Sequence, residues 1–371
     1  MFILQRVCWL PHVQRYLRHY AKKSKLPVMA SNKRMVHQEM LRYVNPFARI
    51  NVDSEIFLQV QPADVHQYTS GDVFIAQLFG DEVKNCTATL EVDITDNDKV
   101  VNVVVKKLPG NLSRFHCALK VPIRAELYIK SGANVRVEGI QSEALEIKSF
   151  GNINTNNVKA TKVVLFSENG NVICNGTLLG KSTEIKTNNG NIVLNKAQGD
   201  SLNCSTKDGG INTDCCYVEN SNFQTETGRL ELKNVHKCSE VHVHRAGELK
   251  MTGVHGNLKI IAKGGSMNLQ LSEVVGRSQI VAQDLDNEAV INISESIEQN
   301  TKVEVNACVV NLDDSLDHVA HALSEDKSTF LLNNVNTEHA HLLINSTGDK
   351  GVRIGKQSWA DILRQKIKVT D

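Results

Sequence analysis

Apolar and polar positions recur about every 19 residues through the middle of the chain. The second and fourth residues after a recurring glycine are apolar or small, and the residue directly after that glycine is polar or glycine, which is the alternation of a β-strand. The recurring glycines, with spacings of 19, 20, 19, 19, 19 and 18 residues, are Gly151, Gly170, Gly190, Gly209, Gly228, Gly247 and Gly265. The predicted inward-facing residues two positions later are Ile153, Val172, Ile192, Ile211, Leu230, Leu249 and Met267, and those four positions later are Thr155, Cys174, Leu194, Thr213, Leu232, Met251 and Leu269.

Two further offsets from the same glycines are predicted to face inward. The seventh residues after the glycine are Val158, Thr177, Ala197, Cys216, Val235, Val254 and Ser272. The fifth residues before it are Leu165, Ile185, Cys204, Phe223 and Ile260, with His242 as an exception. Identical offsets in every turn predict a parallel β-solenoid, because rungs that stack in register place equivalent side chains above one another.

We expect about eight rungs of this solenoid between residues 130 and 271. A meander of hairpins is the alternative for Asn-Gly between strands, but it does not require identical offsets every 19 residues. Asn-Gly and Asp-Gly pairs at the bends are expected to supply residues that tolerate positive φ.

The flanking segments lack the repeat and are predicted to cap the solenoid. The predicted units are a targeting segment and linker (1–42), an antiparallel β cap (43–122), the solenoid (123–290), and irregular rungs with a C-terminal cap helix (291–371). The apolar residues at helical spacing in that last helix are Trp359, Ile362, Leu363 and Ile367. The predicted fold class is therefore all-β, a single-stranded parallel β-helix with an N-terminal antiparallel cap and a short C-terminal helix.

Residues 121–132, with the sequence VPIRAELYIKSG, precede repeats of the form Ser/Thr-x-Asn-Gly-Asn-Ile. This combination resembles the "putative adhesin" domain of unknown function, which is common in bacteria. The whole arrangement, with its basic N-terminus and preceding β region, resembles the animal version of that family. The resemblance implies a β-solenoid and brings no catalytic residues with it.

The N-terminal segment differs in charge from the rest of the chain. Residues 1–38 contain eight Lys and Arg and no acid, and Ile3, Val7 and Leu10 fall on one stripe of a helix. Basic, acid-free, amphipathic N-termini are typical of mitochondrial presequences. We therefore predict residence in the mitochondrial matrix, with cleavage after Tyr20; the alternative is a disordered basic tail on a cytoplasmic protein.

Charge and cysteine content restrict the classes of partner and compartment. Beyond residue 38 there are 34 Lys and Arg against 41 Asp and Glu, which argues against nucleic acid as a partner. No apolar run reaches the roughly 18 residues that a transmembrane helix needs. Nine cysteines without a CxxC pair suit a reducing compartment.

Three sequence clusters could carry chemistry, and each also has a structural explanation. His242 and His244 would share one face of a strand and could bind a metal, but we predict that both are exposed and metal-free. We do not expect a metal at His339 and His341 either. Cys215 is expected to point outward, next to a buried Cys216 that joins Cys174 and Cys204 in the core. The third set, Asp313, Asp314, Asp317, His318 and His321, could cluster if residues 313–323 are helical. Asp314, Asp317, His318 and His321 would then share one face, which we interpret as a solvated helix face.

The function predicted from these observations is a non-enzymatic scaffold or binding protein for an unknown protein partner, without a cofactor. One alternative is a carbohydrate-active β-helix enzyme, which would need acids that converge in one groove. The acids of the repeat fall on different offsets, and they include Asp200, Asp208, Asp214 and Glu219. A second alternative is a structural protein that self-associates through the solenoid ends.

Overall fold

The computed structural model describes residues 34–41, 44–80, 88–107, 115–333 and 340–357. Strands make up most of these residues, which confirms the all-β prediction. In chain order they are β1 (Arg34–Leu41), β2 (Arg49–Ser54), β3 (Phe57–Pro62), β4 (Phe74–Gly80), β5 (Ala88–Thr95), β6 (Val100–Lys107), β7 (His116–Val121), β8 (Glu126–Ser131), β9 (Val135–Glu138), β10 (Gln141–Ser149), β11 (Ile153–Ser167), β12 (Val172–Thr187), β13 (Ile192–Thr206), β14 (Ile211–Thr225), β15 (Leu230–Lys233), β16 (His236–Val243), β17 (Glu248–Lys263), β18 (Ser266–Val274), β19 (Gly276–Gln283), β20 (Ala289–Ile293), β21 (Lys302–Asn306), β22 (Val310–Leu312), β23 (His321–Leu323), β24 (Thr329–Leu332), β25 (Ala340–Thr347) and β26 (Val352–Lys356). The helical elements are α1 (Glu295–Asn300) and a 3-10 turn (Asp314–Leu316).

The strands form a solenoid with two main walls. The wall that we call the A sheet stacks parallel strands in the order β6, β2, β8, β10, the C-terminal halves of β11 to β14, β16, the C-terminal half of β17, β19, β25 and β21. The B sheet stacks β7, β3, β9, the N-terminal halves of β11 to β14, β15, the N-terminal half of β17, β18, β20, β26 and β22. A narrower strip connects the two walls, and we call it the C strip. It comprises the start of β10, the middle parts of β11 to β14, the start of β16 and the middle of β17.

The predicted N-terminal cap contains antiparallel pairs and, in addition, two parallel rungs. β5 pairs with β6, β4 with β7, and β1 with β4, all antiparallel. However, β2 and β3 stack in parallel on β8 and β9, and β6 and β7 stack in parallel on β2 and β3. The parallel stack therefore begins before residue 123. The 19-residue repeat does not reveal these two rungs. After β3 the chain first forms the outermost rung, β6 and β7, and only then returns to form β8 on the other side of β2.

At the C-terminal end the rungs continue and the stack is then closed. β25 and β26, which include the predicted irregular rungs, stack in parallel on β19 and β20. β24 pairs antiparallel with β21, and β23 pairs antiparallel with β24. Helix α1 is capped by the Ser294 side chain, which accepts from the Ile297 backbone N–H. The helix predicted around Trp359 lies outside the described residues.

The core consists of the predicted ladders, with three exceptions. Every residue predicted two or four positions after the glycines is buried. Thr177 is displaced from the core by Leu178, which pairs with Val158 after a bulge, and Leu271 takes the place of Ser272 opposite Val254. The exception at His242 also has a simple cause. The bend from Val243 to Gly247 is one residue longer than the preceding bend, so Val241 and not His242 continues the inward ladder next to Phe223 and Ile260.

The expectation of positive φ at the recurring glycines is wrong for six of the seven. Only Gly265 has a positive φ, at 68°. At the other six positions glycine is required because successive bends stack too closely to leave room for a side chain. A β-carbon at Gly190, for example, would lie 2.0 Å from the Gly170 carbonyl oxygen. Positive φ occurs instead at the bend that follows the B sheet, as at Asn157 (50°) and Gly176 (67°).

Candidate functional site

A shallow groove with a volume of about 500 Å³ follows the A sheet between two rows of outward-facing side chains. One row comprises Ser201, Asn220, Cys238, Asn257 and Arg277, and the other Asn203, Asn222, Glu240, Lys259 and Gln279. The floor comprises Leu202, Ser221, Ser239 and Leu258. Because five of these ten wall residues carry side-chain amides, we call this the amide groove.

Strand register places these residues in rows. Asn203 pairs with Asn222, Asn222 with Glu240, Glu240 with Lys259, and Lys259 with Gln279, each on the next rung of the stack. Rungs are about 4.8 Å apart, and residues two positions apart on one strand face are about 6.7 Å apart. The groove is therefore a regular trough whose walls repeat with the solenoid.

The floor of the amide groove is closed. Leu202 and Leu258 point into the core, and the hydroxyl oxygens of Ser221 and Ser239 lie 2.8 Å apart in a buried hydrogen bond. The Ser278 hydroxyl accepts the Leu258 backbone N–H at 2.9 Å. Polar atoms beneath the groove are thus already satisfied within the protein, and only the walls are available to a ligand.

Most of the polar groups on the walls have no partner. The side chains of Asn203, Asn220, Asn257, Arg277 and Gln279 make no hydrogen bond or salt bridge with another described residue. The exceptions are local: the Asn222 amide oxygen accepts from Gln224 Nε2 at 3.1 Å, and Lys259 Nζ lies 3.4 Å from Glu240 Oε1.

A different group of asparagines is used by the fold itself. They lie at the bend that leads into the B sheet, and each amide oxygen accepts a backbone N–H from the next rung. Asn171 Oδ1 accepts the Asn191 N–H, and Asn191 Oδ1 accepts the Gly210 N–H, both at 2.8 Å. Asn134 and Asn152 continue this ladder toward the N-terminus at the same distance. The asparagines of this bend therefore support the fold, whereas Asn203, Asn220 and Asn257 in the amide groove have no partner among the described residues.

The histidine pair was predicted to be exposed, and this is correct for only one member. His244 is exposed, whereas His242 is half-buried beside Glu240, with Nε2 3.9 Å from Oε2. Burial lowers the pKa of His242, and the carboxylate of Glu240 opposes that shift. The two imidazoles are stacked with their centroids 5.9 Å apart. His341 is half-buried near Glu304, and His339 lies outside the described residues.

The predicted acidic helix face at residues 313–323 is wrong. The segment forms only the 3-10 turn, because the Asp313 side chain caps it by accepting the Ser315 N–H, and the turn ends at Asp317. His321 then starts β23, and its Nδ1 lies 2.7 Å from the Val319 carbonyl oxygen. Asp314, Asp317, His318 and His321 therefore do not share a helix face.

The cysteines behave as predicted in the core, and the sequence reasoning missed one on the surface. Cys174, Cys204 and Cys216 are buried, and burial raises the pKa of Cys174 to about 12 and that of Cys216 to about 11. Cys215 is partly exposed. Cys238 is exposed in the wall of the amide groove, in register with Asn220; the register of β14 with β16 is what places it there.

A second groove, of about 660 Å³, lies on the C strip and contains two acids. They are Glu143 and Asp200, and Lys181 also lines this groove. The strand registers put Glu143 and Asp200 three rungs apart, or roughly 14 Å, which exceeds the separation of the two carboxyl groups in either class of glycosidase. Asp208, Asp214 and Glu219 are exposed and line neither groove.

The C strip also carries a ladder of aromatic rings that sequence reasoning missed. Tyr217 stacks on His236 with centroids 4.5 Å apart, and His236 stacks on His255 at 4.8 Å. Burial lowers the pKa of His236, and so does the neighbouring His255. The three residues are 19 positions apart, so the repeat spacing was the signal that could have found them.

Comparison with known proteins supports the family that the repeats indicate. Residues 58–214 match the family model described as Toastrack DUF4097, which is less than half of the chain. The chain is similar to a putative adhesin from Bacteroides fragilis (16% identity, 61% of this chain and 96% of that chain, TM-score 0.37). It is also similar to a putative adhesin from Parabacteroides merdae (14% identity, 88% and 98%, TM-score 0.36) and to a putative cell adhesion protein from Clostridium sporogenes (7% identity, 88% and 100%, TM-score 0.19).

The family match covers the part of the solenoid from β3 to the start of β14. The amide groove begins in the last rungs of this matched segment and extends from there toward the C-terminus. No helix among the described residues is long and apolar enough to cross a membrane.

Proposed function

We propose that this chain is a non-enzymatic binding scaffold whose solenoid presents the amide groove to a protein partner. The observation that carries the proposal is the set of unpaired amides in that groove, which includes Asn203, Asn220 and Asn257. The fold uses asparagines such as Asn171 for its own hydrogen bonds, so the free donors and acceptors of the groove have no comparable structural role. A rigid row of such groups is a binding surface that needs little reorganisation.

The arrangement of acids supports a scaffold more than an enzyme. Glu240 is the one carboxylate that lines the amide groove, and Lys259 lies beside it. In the second groove Glu143 and Asp200 are too far apart to act as an acid and a base on one bond. We therefore expect no glycosidase or lyase activity from the full chain.

We further propose that the protein belongs to the animal version of the family and works in the mitochondrial matrix. The basic, acid-free segment before residue 39 supports this location. Expression with a C-terminal tag, isolation of mitochondria and sequencing of the mature N-terminus test it. A matrix protein that begins near Ala21 is expected, and an unprocessed cytosolic chain would contradict the proposal.

Photo-cross-linking tests the binding function directly. A photoreactive amino acid replaces Asn203 or Asn222 in the groove, and a matched variant carries it at Asn154 on the outer face of the B sheet. Irradiation in intact cells should give a discrete protein adduct from the groove positions and none from Asn154. No adduct from any position, together with hydrolysis of a polysaccharide by the purified chain, would overturn the scaffold in favour of the enzyme.

A further inference from the structure

We infer that the amide groove receives an extended peptide segment of its partner, with a carboxylate of that segment opposite Arg277. This inference rests on the proposed binding function and adds the chemistry of the ligand. It uses three observations: the unpaired amides on both walls, the single uncompensated cation at one end, and the lack of an aromatic ring among the lining residues.

The amides suit a polypeptide backbone. A side-chain amide offers an N–H donor and a carbonyl acceptor, and a peptide group offers the complementary pair. Asn203 and Asn220 face each other across the trough from adjacent rungs, and Asn257 continues the Asn220 row two rungs further. An extended segment has unpaired backbone groups along its length, so it can pair with such walls regardless of its exact side chains.

The charge of the groove indicates the sign of the charge on the ligand. Lys259 Nζ lies 3.4 Å from Glu240 Oε1, so these two charges largely compensate each other. Arg277 is exposed in the same groove, and it makes no salt bridge with another described residue. A guanidinium binds a carboxylate through two parallel hydrogen bonds, which favours an Asp or Glu side chain or a chain terminus at this end.

The same observations argue against a sugar chain as the ligand. Aromatic rings with a free face are the usual platform for the apolar side of a sugar, and the amide groove contains none. Two sets of stacked rings lie outside the lining of the groove. His242, beside Glu240, is stacked on His244, and Tyr217, His236 and His255 form the ladder on the C strip. Of the rings on the C strip, His236 is stacked on both faces, and Tyr217 and His255 are each stacked on one face.

A peptide-display experiment tests the inference on the full chain. A phage library of random 12-residue peptides is selected on the immobilised wild type, and the enriched peptides are synthesised with a fluorophore for anisotropy titrations. The titrations compare the wild type with Arg277→Glu and with the double variant Asn220→Ala, Asn257→Ala. Lys186→Glu, the same charge reversal on the A sheet outside the groove, is the matched control. Thermal unfolding verifies that each variant is folded.

We expect the selected peptides to be enriched in Asp and Glu. Arg277→Glu should weaken their binding about tenfold or more. This variant should bind a peptide in which the critical acid is replaced by Lys more tightly than it binds the acidic peptide. The affinity of the double variant for all selected peptides should be about tenfold lower, and Lys186→Glu should bind them as the wild type does. Selected peptides without acidic enrichment, or with binding that the groove variants leave unchanged, would overturn the inference.

Two further outcomes separate this inference from the proposed function. If the full chain binds an immobilised oligosaccharide array and the groove variants abolish that binding, the ligand is a glycan and the peptide inference fails. If the photo-cross-linked partner is a protein but no selected peptide depends on Arg277 or on the amides, the scaffold stands while the peptide inference fails.

Discussion

The carbonyl oxygen of Gly209 lies so close to Gly228 that a β-carbon on Gly228 would be only 1.6 Å from it. The same relationship holds one rung earlier, where a β-carbon on Gly209 would lie 1.8 Å from the Gly190 carbonyl oxygen. The contact is with backbone, which cannot move aside without shifting the neighbouring rung. Glycine recurs at this bend because the stacked backbones approach too closely for any side chain.

Gly228→Ala should therefore destabilise the protein strongly. We expect the free energy of unfolding to fall by about 2–4 kcal/mol, because the bend must shift and the hydrogen bonds of the adjacent rungs are distorted as it does. Urea unfolding measures the change. Gly132→Ala is the control, since its β-carbon would meet no atom closer than 3.8 Å, and it should change stability little. Equal stability of the two variants would show that the bends can separate freely.

A buried hydroxyl ladder holds the same bends together. Thr206 Oγ1 donates to the Gly190 carbonyl oxygen at 3.0 Å and accepts the Gly209 N–H at 3.1 Å. Thr206→Val keeps the shape and leaves both backbone groups without a partner, so we expect a loss of about 1–3 kcal/mol by urea unfolding. Thr206→Ser keeps the hydroxyl and should therefore retain most of the wild-type stability.

Thr213 provides the matched control for that prediction. It is also a buried threonine of the repeat, but its hydroxyl has no hydrogen-bond partner. Thr213→Val replaces an unsatisfied polar atom by a methyl group and should leave stability unchanged or increase it. If Thr206→Val and Thr213→Val cost the same, then the loss comes from packing and not from the hydroxyl ladder.

The two classes of asparagine should respond differently to alanine. Asn171→Ala removes an acceptor from the Asn191 backbone N–H and should cost about 1 kcal/mol in the free energy of unfolding. Asn203→Ala and Asn220→Ala remove side chains with no partner in the described structure and should stay within about 0.5 kcal/mol of the wild type. A comparable loss at Asn203 would indicate that groove residues support the fold, which would weaken the argument for a binding role.

This distinction shows what the sequence could predict and what it could not. Alternating apolar residues at constant offsets identified the inward ladders, because a stacked coil repeats its environment in every rung. The constant offset fails at His242, because one extra residue in the following bend shifts the ladder to Val241; only the local alternation of Val241 and Val243 with the two histidines indicates this shift. The use of each asparagine was also unpredictable, since it depends on the backbone N–H of a neighbouring rung.

The N-terminal rungs were missed for a related reason. The chain places β2 between β6 and β8, so consecutive strands are not consecutive rungs, and the repeat cannot be read along the sequence. The amide groove was out of reach as well. Its rows combine residues from five strands, and only the register between those strands brings Asn203 and Gln279 into one wall.

Buried thiols should make the protein less stable in alkali. Burial raises the pKa of Cys174 from its ordinary value of 9.0 to about 12, so between these pH values the folded state keeps this proton while the unfolded state loses it. The stabilisation is complete below pH 9 and is lost as the pH rises toward 12. Urea unfolding at several pH values measures the slope, which Cys174→Val should reduce and Cys238→Ser should leave unchanged. A slope that Cys174→Val does not alter would contradict this origin.

Alkylation gives an independent measure of the same burial. In the folded protein at neutral pH, iodoacetamide should modify Cys238 and Cys308, which are exposed, and spare Cys174 and Cys204. Peptide mass mapping locates the modified thiols. Rapid modification of Cys204 without denaturant would show that the solenoid opens locally.

The ends of the solenoid determine whether copies can stack into filaments. At the N-terminal end β5 covers β6, while β4 and then β1 cover β7. At the C-terminal end β24 and β23 cover β21, and β22 is a strand of three residues. Antiparallel or short edge strands hinder the addition of another parallel rung.

We therefore expect the full chain to be monomeric by light scattering over a wide range of concentrations. Deletion of residues 1–41 removes β1 and exposes the edge of β4, an apolar strand in which five of seven residues are buried, so this variant should form dimers or larger species through that edge. A variant that lacks only residues 1–33 retains β1 and should stay monomeric, which separates the effect of the edge from that of the basic segment. Concentration-dependent growth of the full chain would mean that the caps do not block association, and filament formation through the solenoid ends would then become the better account.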